Sequence, residues 1–392
     1  MTSPTTRTIG TWAAFVCSSV LIALLLYTSA PDNRAWEFAD VVPPSPIQGT
    51  LDIEREKLTP PGETDFVHGP SIVATPTGLM AFWYRAVYEG AANAEIVAAH
   101  YENGAWSKAA PITNSLAVTS DIGIRIKSLA NPVPFRFSEN ELWLFFSASR
   151  LSGWATCEIL LMRSHDNGKT WGPAERLYGS PFLNMSHLTK SPPVRFADGR
   201  IGLPAYHEMN RKFPVMFILN ENGRVIDRRR MGNGGKVGYQ PMVVVTGKTR
   251  AIAFVRRLTS SVPREVLLSH TEDGGKTWSK PKPVGLPNPG APLSAVRYGP
   301  NHILLAFNDD PQSELNVKLA ISDLSGQNWQ RIGTVEAISK ESPSNGIMYP
   351  YLAQTAPGQF DIVFSRVDKT IDHARISSAW IEHHLQFLAA RK

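Results

Sequence analysis

The chain has 392 residues, of which 43 % are hydrophobic and 19 % are charged, and it contains 29 glycines, 30 prolines and 10 tryptophans. This composition excludes a disordered or collagen-like protein and is typical of a folded protein rich in turns. The formal net charge is +6, but the basic residues are scattered apart from the run Arg228–Arg230. We therefore predict no nucleic-acid partner, while the positive charge favours an anionic substrate.

Residues 1–30 are predicted to be a membrane anchor or signal segment. No charged residue occurs between Ile9 and Tyr27, a stretch long enough to span a bilayer, and Arg7 precedes it. An uncleaved inner-membrane anchor is favoured over a signal peptide cleaved near Ala30. In both cases the rest of the chain is exported, to the periplasm or the extracellular space.

The remaining chain is predicted to begin with a linker and to continue as β-strands. Residues 31–62 are assigned to a linker because prolines cluster at residues 43–46 and 60–61. From Phe66 onwards, short apolar runs alternate with clusters of Gly, Pro, Asn and Asp, which is typical of closely spaced strands. The C-terminal tail, residues 378–392, carries the best amphipathic helix pattern, over Ser378–Leu388. The predicted strands are Ser71–Ala74, Leu79–Tyr84, Ile96–His100, Leu142–Ala148, Ile159–Arg163, Val215–Leu219, Met242–Val245, Ala251–Val255, Ile303–Phe307, Val317–Ile321 and Asp361–Phe364.

A repeated hairpin motif divides the strand region into units. Ser164–Trp171 and Thr271–Trp278 both fit the pattern Ser/Thr-x-Asp-x-Gly-x-Thr-Trp. In each copy the aspartate is predicted to bind backbone amides of a tight turn, the glycine to adopt a positive φ, and the tryptophan to pack the hairpin against its neighbours. The residues with this structural role are Asp166, Gly168, Trp171, Asp273, Gly275 and Trp278.

Degenerate copies of the motif occur at His100–Trp106 and Ser322–Trp329. The spacing of the four tryptophans predicts roughly six units, as in an all-β, six-bladed propeller of four-stranded blades. Residues 63–377 are assigned to this propeller. A β-sandwich with coincidental turns is the alternative.

Further stretches of the chain are similar to one protein family. They are Leu129–Val133, Ser152–Trp154, Leu203–Glu208, Tyr239–Pro241, Leu286–Pro289 and Tyr349–Leu352. With the hairpin motifs, or Asp boxes, they resemble the sialidase (neuraminidase) superfamily, and most closely the bacterial group of predicted neuraminidases with BNR repeats. The resemblance covers about Phe66 to Ala374 and implies a six-bladed propeller. Asp boxes also occur in non-enzymatic propellers, so they indicate the fold rather than the chemistry.

The resemblance also implies a set of catalytic residues. Glu89 is the carboxylate nearest to the expected acid/base, and its alternative role is a solvated loop carboxylate. Tyr349 and Glu208 match the chain order of the tyrosine nucleophile and its activating glutamate, although Tyr349 also fits a core or rim aromatic. His68 stands where the family has the first arginine that binds the substrate carboxylate. Because histidine binds an anion only when protonated, the chain departs from the family there.

Further ionisable residues follow predicted strands, where propeller sites form. They are His207, Arg256, Arg257, Arg366 and His373. Since successive strand residues face opposite sides, only one of the two adjacent arginines is expected to reach the pocket. Arg256, Arg366 and His68 are expected to bind the anionic group of the substrate, and the others are further substrate-binding candidates. A salt bridge between blades is the alternative role for Arg366 and His373.

Neutral and cationic groups at strand ends are the expected contacts for sugar hydroxyls. These candidates are Asn131, Trp154, Lys190, Gln240, Asn288 and Asn308. Asn131 and Asn288 each precede a proline and alternatively shape turns. No metal or cofactor is predicted, because the chain has no Gly-rich phosphate loop, zinc-binding cysteine pair or Gly-x-Ser-x-Gly motif.

Taken together, these patterns predict an exported exo-glycosidase of the sialidase type, acting on a terminal, acidic sugar of a glycan or envelope polysaccharide. The expected partners are this carbohydrate and, through residues 9–27, the membrane. The alternatives are a propeller that binds carbohydrate without hydrolysing it and a scaffold for protein partners.

Overall fold

The computed structural model describes residues 36–59, 66–151, 153–180, 184–209, 212–232, 238–257, 264–341 and 346–390, with Trp12, Phe15, Val16 and residues 18–20. Two compact units are distinguished, residues 1–35 and residues 36–392. The described residues of the first unit are helical and exposed. Most of the predicted anchor, residues 9–27, lies outside the described residues, and among those described no helix is long and apolar enough to cross a membrane.

In the described part of the second unit, the strands form six antiparallel sheets. Blade 1 contains β2 (Phe66–Thr75), β3 (Gly78–Ala86), β4 (Glu95–Glu102), β5 (Ala105–Trp106) and β6 (Ala110–Asn114). Blade 2 contains β7 (Ser128–Arg136), β8 (Leu142–Ser149), β9 (Cys157–Ser164) and β10 (Glu175–Arg176). Blade 3 contains β11 (His187–Thr189), β12 (Val194–Arg195), β13 (Ile201–His207), β14 (Phe213–Leu219) and β15 (Val225–Arg230).

The second half of the propeller has the same plan. Blade 4 contains β16 (Gly238–Val245), β17 (Ala251–Arg257), β18 (Glu265–Thr271) and β19 (Lys282–Pro287). Blade 5 contains β20 (Ser294–Tyr298), β21 (His302–Phe307), β22 (Asn316–Asp323) and β23 (Gln330–Ala337). Blade 6 contains β24 (Ile347–Ala356), β25 (Gln359–Arg366), β26 (Ile371–Ser377) and, at its outer edge, β1 (Glu54–Lys57). The predicted all-β, six-bladed propeller is confirmed.

The hydrophobic core is a ring of clusters, one between each pair of neighbouring blades. The alternation of side chains along a strand produces this arrangement. On β8, Phe145 packs in the cluster shared with blade 3, whereas the next residue, Phe146, packs in the cluster shared with blade 1. Every residue of β8 is buried, which explains why the strand begins with five consecutive large apolar residues, Leu142–Phe146.

The Asp-box hairpins close their turns as local units. Asp166 accepts hydrogen bonds from the Thr170 backbone N–H at 2.9 Å and from its hydroxyl at 2.5 Å. Gly168 has a φ of 91°, and its carbonyl accepts from the Trp171 indole N–H at 3.2 Å. The second box repeats these contacts: Asp273 accepts from Thr277, and the Trp278 indole donates to the Gly275 carbonyl. The aspartate, glycine and tryptophan are therefore occupied in the hairpin itself.

Residues 36–59, within the predicted linker 31–62, do not form a free spacer but pack on the propeller. Trp36 and Phe38 are buried, and the Phe38 ring stacks on Phe196 of blade 3 at 5.0 Å. Farther along, β1 pairs antiparallel with β26 and so completes blade 6 with a strand from the start of the domain. Burial of the large apolar side chains of this segment stabilises its packing on the propeller, whereas a free spacer has no such contacts.

Two α-helices accompany the strands in the described part of this unit. The helix α1 (Ser115–Ile122), which sequence patterns did not indicate, is capped by Asn114, whose side chain accepts from two backbone N–H groups. The helix α2 (Ser378–Ala389) coincides with the predicted C-terminal helix. Trp380 and Ile381 bury it in the cluster between blades 5 and 6, so this tail is part of the core.

Candidate functional site

The inner strands of four blades bulge at a residue directly before a proline. The bulged residues are Gly69, Asn131, Gln240 and Tyr349, with φ values of 62°, 51°, 52° and 58°. A bulge re-aims side chains, and a positive φ is costly for a residue other than glycine, which is typical of functional sites. Asn131, Gln240 and Tyr349 all line one cavity at the end of the propeller axis where the inner strands begin.

This central cavity has a volume of about 330 Å³ and collects residues from several blades. It is lined by His68, Tyr84, Glu89, Asn131, Trp154, Tyr206, Glu208, Lys212, Tyr239, Gln240, Arg256, Glu314, Met348 and Tyr349. Eight of the residues selected from the sequence are among them: His68, Glu89, Asn131, Trp154, Glu208, Gln240, Arg256 and Tyr349. Residues more than two hundred positions apart in the chain thus meet in one concave, polar site.

Tyr349 is surrounded by aromatic rings and donors. The Gln240 side-chain amide donates to the Tyr349 hydroxyl at 3.4 Å. The His68 ring lies edge-on at 4.2 Å between centroids, and the Lys190 ammonium lies 5.4 Å from the Tyr349 ring centre. A donor at the phenol oxygen and a cation near the ring both stabilise negative charge on the tyrosine. The surroundings therefore suit a nucleophile.

Arg256 is the one arginine among the described residues that line the cavity. Its Nη1 donates to the Gln240 side-chain oxygen at 3.1 Å, and its guanidinium stacks over the Tyr239 ring at 5.0 Å. Burial opposes its charge, but attraction to Tyr349, Tyr239 and Glu314 prevails and raises the pKa of Arg256. It is therefore a permanent cation, fixed in orientation.

Three carboxylates line the cavity. Burial raises the pKa of Glu89 and that of Glu314, and Arg256 offsets this only in part. Glu208 forms an ion pair with Lys212 through Oε1, while its Oε2 is buried without a hydrogen-bond partner among the described residues. The described residues show no hydrogen bond between Glu208 and Tyr349.

His68 is neutral in this site. Burial, with the nearby charges of Lys190 and Arg256, lowers the pKa of His68 to about 3. Its Nδ1 lies 2.9 Å from the Ser365 hydroxyl, which itself donates to the Met348 carbonyl at 3.1 Å. The hydroxyl proton is thus engaged, and His68 Nδ1 carries the proton of their shared hydrogen bond. The expectation that His68 grips an anion as a cation is corrected, because no positive charge resides there.

Lys190 lies beneath the cavity rather than in its lining. It is 5 % exposed, and its Nζ is 3.5 Å from the Pro70 carbonyl and 5.0 Å from the Tyr351 ring centre. Burial lowers the pKa of Lys190 to about 7. Lys190 is therefore not the direct sugar contact that was expected, and it lies beside the Tyr349 ring instead.

Two predicted anion-binding residues instead form salt bridges within and between blades. Arg366 donates to Asp372 at 2.6 Å and lies 3.5 Å from Glu336 of blade 5. His373 Nε2 lies 2.7 Å from the buried Asp361 carboxylate. Neither lines the cavity. Arg366 fits the alternative of a salt bridge between blades, whereas the His373 contact with Asp361 lies within blade 6.

Four other candidates also lie outside the cavity lining. His207 stacks on Phe213 at 4.8 Å, since it points to the opposite side of the strand end from Glu208. Asn288 accepts from the backbone N–H groups of residues 290 and 291, and thus shapes a turn as its alternative assignment stated. The Asn308 amide donates to the carbonyls of residues 316 and 347. Arg257 is half-buried beside its lining neighbour Arg256.

Several lining residues escaped sequence reasoning. They are Tyr84, Tyr206, Lys212, Tyr239, Glu314 and Met348. Burial raises the pKa of each of these three tyrosines, so their hydroxyls remain neutral hydrogen-bonding groups. Tyr239 and Met348 directly precede the bulged residues, so the repeated residue-proline pairs of the inner strands were the available signal. In the part of the chain that the structure describes, no group of three His, Cys, Asp or Glu residues could hold a metal ion.

A six-bladed propeller with Asp boxes and a central cavity of tyrosines, carboxylates and an arginine defines the sialidase-like class. A family model described as a BNR repeat-like domain matches residues 77–362. The chain belongs to this family, within the sialidase/BNR superfamily, and the resemblance found in the sequence is confirmed. No match was found among curated proteins.

Solved structures share the fold at low sequence identity. A protein of unknown function from Dyadobacter fermentans has a TM-score of 0.66 and 14 % identity, over 83 % of this chain and 99 % of that one. Trypanosoma rangeli sialidase has a TM-score of 0.66 and 13 % identity, over 86 % of this chain and 61 % of that one. A Hadza microbial sialidase has a TM-score of 0.64 and 14 % identity, over 80 % and 66 % respectively. These similarities establish the fold.

Proposed function

We propose that the protein is an exo-glycosidase of the sialidase type that removes a terminal, acidic sugar from a glycan or envelope polysaccharide. The observation that carries this proposal is the convergence of Tyr349, Glu89, Glu208 and Arg256 on one cavity of sugar size. The superfamily and its sialidase neighbours support carbohydrate as the ligand.

In this proposal Tyr349 is the nucleophile, and Glu89 is the general acid of the first half-reaction and the general base of the second. Glu208, whose Oε2 has no hydrogen-bond partner among the described residues, accepts the Tyr349 hydroxyl proton as the Tyr349 oxygen attacks the anomeric carbon, while Glu89 donates its proton to the leaving glycosidic oxygen. Water then attacks the same carbon and gives a proton to Glu89, and the tyrosine oxygen leaves and takes its proton back from Glu208. The raised pKa of Glu89 suits an acid that must be protonated at the start of the cycle. Arg256 supplies the positive charge for an acidic substituent.

A second function, carbohydrate binding without hydrolysis, is favoured by the state of Glu208. Its Oε1 pairs with Lys212, and among the described residues Tyr349 donates no hydrogen bond to either oxygen, so the tyrosine lacks a bonded proton acceptor. The neutral His68 also leaves the described lining with one arginine, Arg256, where the family pattern has three. Both features weaken turnover more than binding.

The test is hydrolysis of methylumbelliferyl glycosides of N-acetylneuraminic acid, glucuronic acid and galactose by the full-length protein. We expect release from an acidic glycoside, and a loss on the order of 10³-fold for Tyr349→Phe, as is usual when a nucleophile is removed. The matched control is Tyr178→Phe, since Tyr178 is 59 % exposed and lies outside the cavity. Binding of the free sugars without release from any glycoside would reject the enzyme and leave the binding function.

We also propose that residues 9–27 anchor the chain in the inner membrane with the propeller exported. The uncharged stretch from Ile9 to Tyr27 after Arg7 supports this orientation. The measurement is resistance of the full-length protein to alkaline carbonate extraction, together with protease access from the outside. Complete release into the soluble fraction at full length would reject the anchor.

A further inference from the structure

A second cavity of about 330 Å³ lies beside the central one. Glu89 and Trp154 line both cavities and therefore form part of the wall between them. Tyr88, Lys127, Ser128 and Ser149 are among the other residues that line the second cavity. The acid/base candidate thus faces two neighbouring spaces rather than one.

The second cavity is lined by a buried residue whose polar group forms no hydrogen bond with the described residues. Ser128 is 2 % exposed, and its hydroxyl has no hydrogen-bond partner among the described residues. A buried hydroxyl without a partner is costly, so the site suits a ligand that offers hydrogen bonds. Lys127 is half-buried and forms no ion pair with any residue in the described ranges, which leaves a cation beside the cavity.

Aromatic side chains complete the second cavity. Tyr88 is 62 % exposed, although large aromatic rings normally lose exposure on folding, and Trp154 is half-buried. Flat ring faces next to hydroxyl and ammonium groups are the usual surface for a sugar ring. The combination favours a sugar with an acidic substituent over an apolar ligand.

We propose that the second cavity is the leaving-group subsite, and that it binds the penultimate unit of the substrate as a sugar with a carboxylate, sulfate or phosphate substituent. This inference rests on the proposed function, in which Glu89 protonates the glycosidic oxygen. That oxygen joins the terminal sugar to the leaving unit. If the terminal sugar occupies the central cavity, the leaving unit lies on the other side of Glu89, where the second cavity is found.

The first experiment measures binding and requires no turnover. Digalacturonate is titrated into the full-length protein, with maltose as the neutral comparator. Lys127→Met and Lys127→Gln are each expected to weaken digalacturonate binding about tenfold or more, as for loss of a charge-assisted contact. Lys169→Met is the control, because Lys169 lies in an Asp box outside both cavities. Equal affinity of the Lys127 variants and the control, or tighter binding of maltose, overturns the proposal.

The second experiment uses any aryl glycoside that the protein hydrolyses and the disaccharide in which galacturonic acid replaces the aryl group. Lys127→Met should lower kcat/KM for the disaccharide about tenfold more than for the aryl glycoside, because the aryl group carries no acidic substituent. An equal loss on both substrates overturns the subsite while the glycosidase function stands. Absence of all hydrolysis overturns the proposed function. The binding experiment alone then decides whether the second cavity binds an acidic sugar.

Discussion

Replacement of Lys190 with methionine is expected to remove a large pH dependence of stability. Burial lowers the pKa of this lysine from 10.5 to about 7, so between those pH values the unfolded chain binds one more proton than the folded chain. Stability therefore rises with pH across this window, and below about pH 7 the folded protein bears the full cost of burying the charge. Between pH 6 and pH 9 the free energy of unfolding should rise by roughly 2–3 kcal/mol, because about two pH units of this range lie above the folded-state pKa.

Urea unfolding of the full-length protein at pH 6 and pH 9 measures this effect. The free energy of unfolding of the wild type, minus that of Lys190→Met, should increase by roughly 2–3 kcal/mol between the two pH values. Other titrating groups are common to both proteins and cancel, and Lys169→Met should show no such change. A constant difference would refute the reasoning. It would mean that the Tyr349 and Tyr351 rings stabilise the ammonium enough to restore an ordinary pKa.

Three further outcomes are expected. Asp273→Ala should lower stability by about 1–3 kcal/mol in urea unfolding, with unchanged activity, because it removes the bonds to Thr277 outside the cavity. Asp361→Asn should lower the free energy of unfolding by about 3–5 kcal/mol, since Arg375 loses its buried partner. The pKa of Asp361 is lowered in the folded protein, so in the wild type the stability from this ion pair should be lost as the pH falls through the lowered pKa. Glu89→Gln should lose hydrolysis of glycosides with poor leaving groups but keep more activity on activated aryl glycosides, and wild-type activity should fall as the pH rises above the raised pKa of Glu89.

The fold was predictable because its signal is local. Asp166 and Thr170 are four residues apart, so the motif that closes each hairpin is visible in the sequence, and its repetition gives the number of blades. Residues 36–59 were misassigned because proline content resembles that of a spacer, whereas the burial of Trp36 and Phe38 depends on a surface formed much later in the chain.

The site was less predictable because its properties arise from contacts between distant residues. His68 is neutral through its burial near Lys190 and Arg256, and no neighbouring residue in the sequence reveals this. In the same way, Glu208 is the expected partner of Tyr349 by chain order, but Lys212 lies within reach of its carboxylate. Chain order correctly placed Glu89, Glu208 and Tyr349 at the cavity, whereas their charge states and pairing depend on the assembled blades.

The charges of the central cavity connect its pH dependence with its ligand. Among the described lining residues, Glu89, Glu208 and Glu314 outnumber Arg256 and Lys212, so with all three carboxylates ionised an acidic sugar would meet more negative than positive groups of this set. Burial raises the pKa values of Glu89 and Glu314, so these two carboxylates become neutral as the pH falls through the raised values. When both are neutral, Arg256 and Lys212 outnumber the remaining carboxylate among the described lining residues. In the proposed reaction the same protonation prepares Glu89 to act as the acid. Under the proposed function, the affinity for an acidic sugar and the protonated fraction of Glu89 therefore both increase toward lower pH. For a neutral sugar, only the protonated fraction of Glu89 increases.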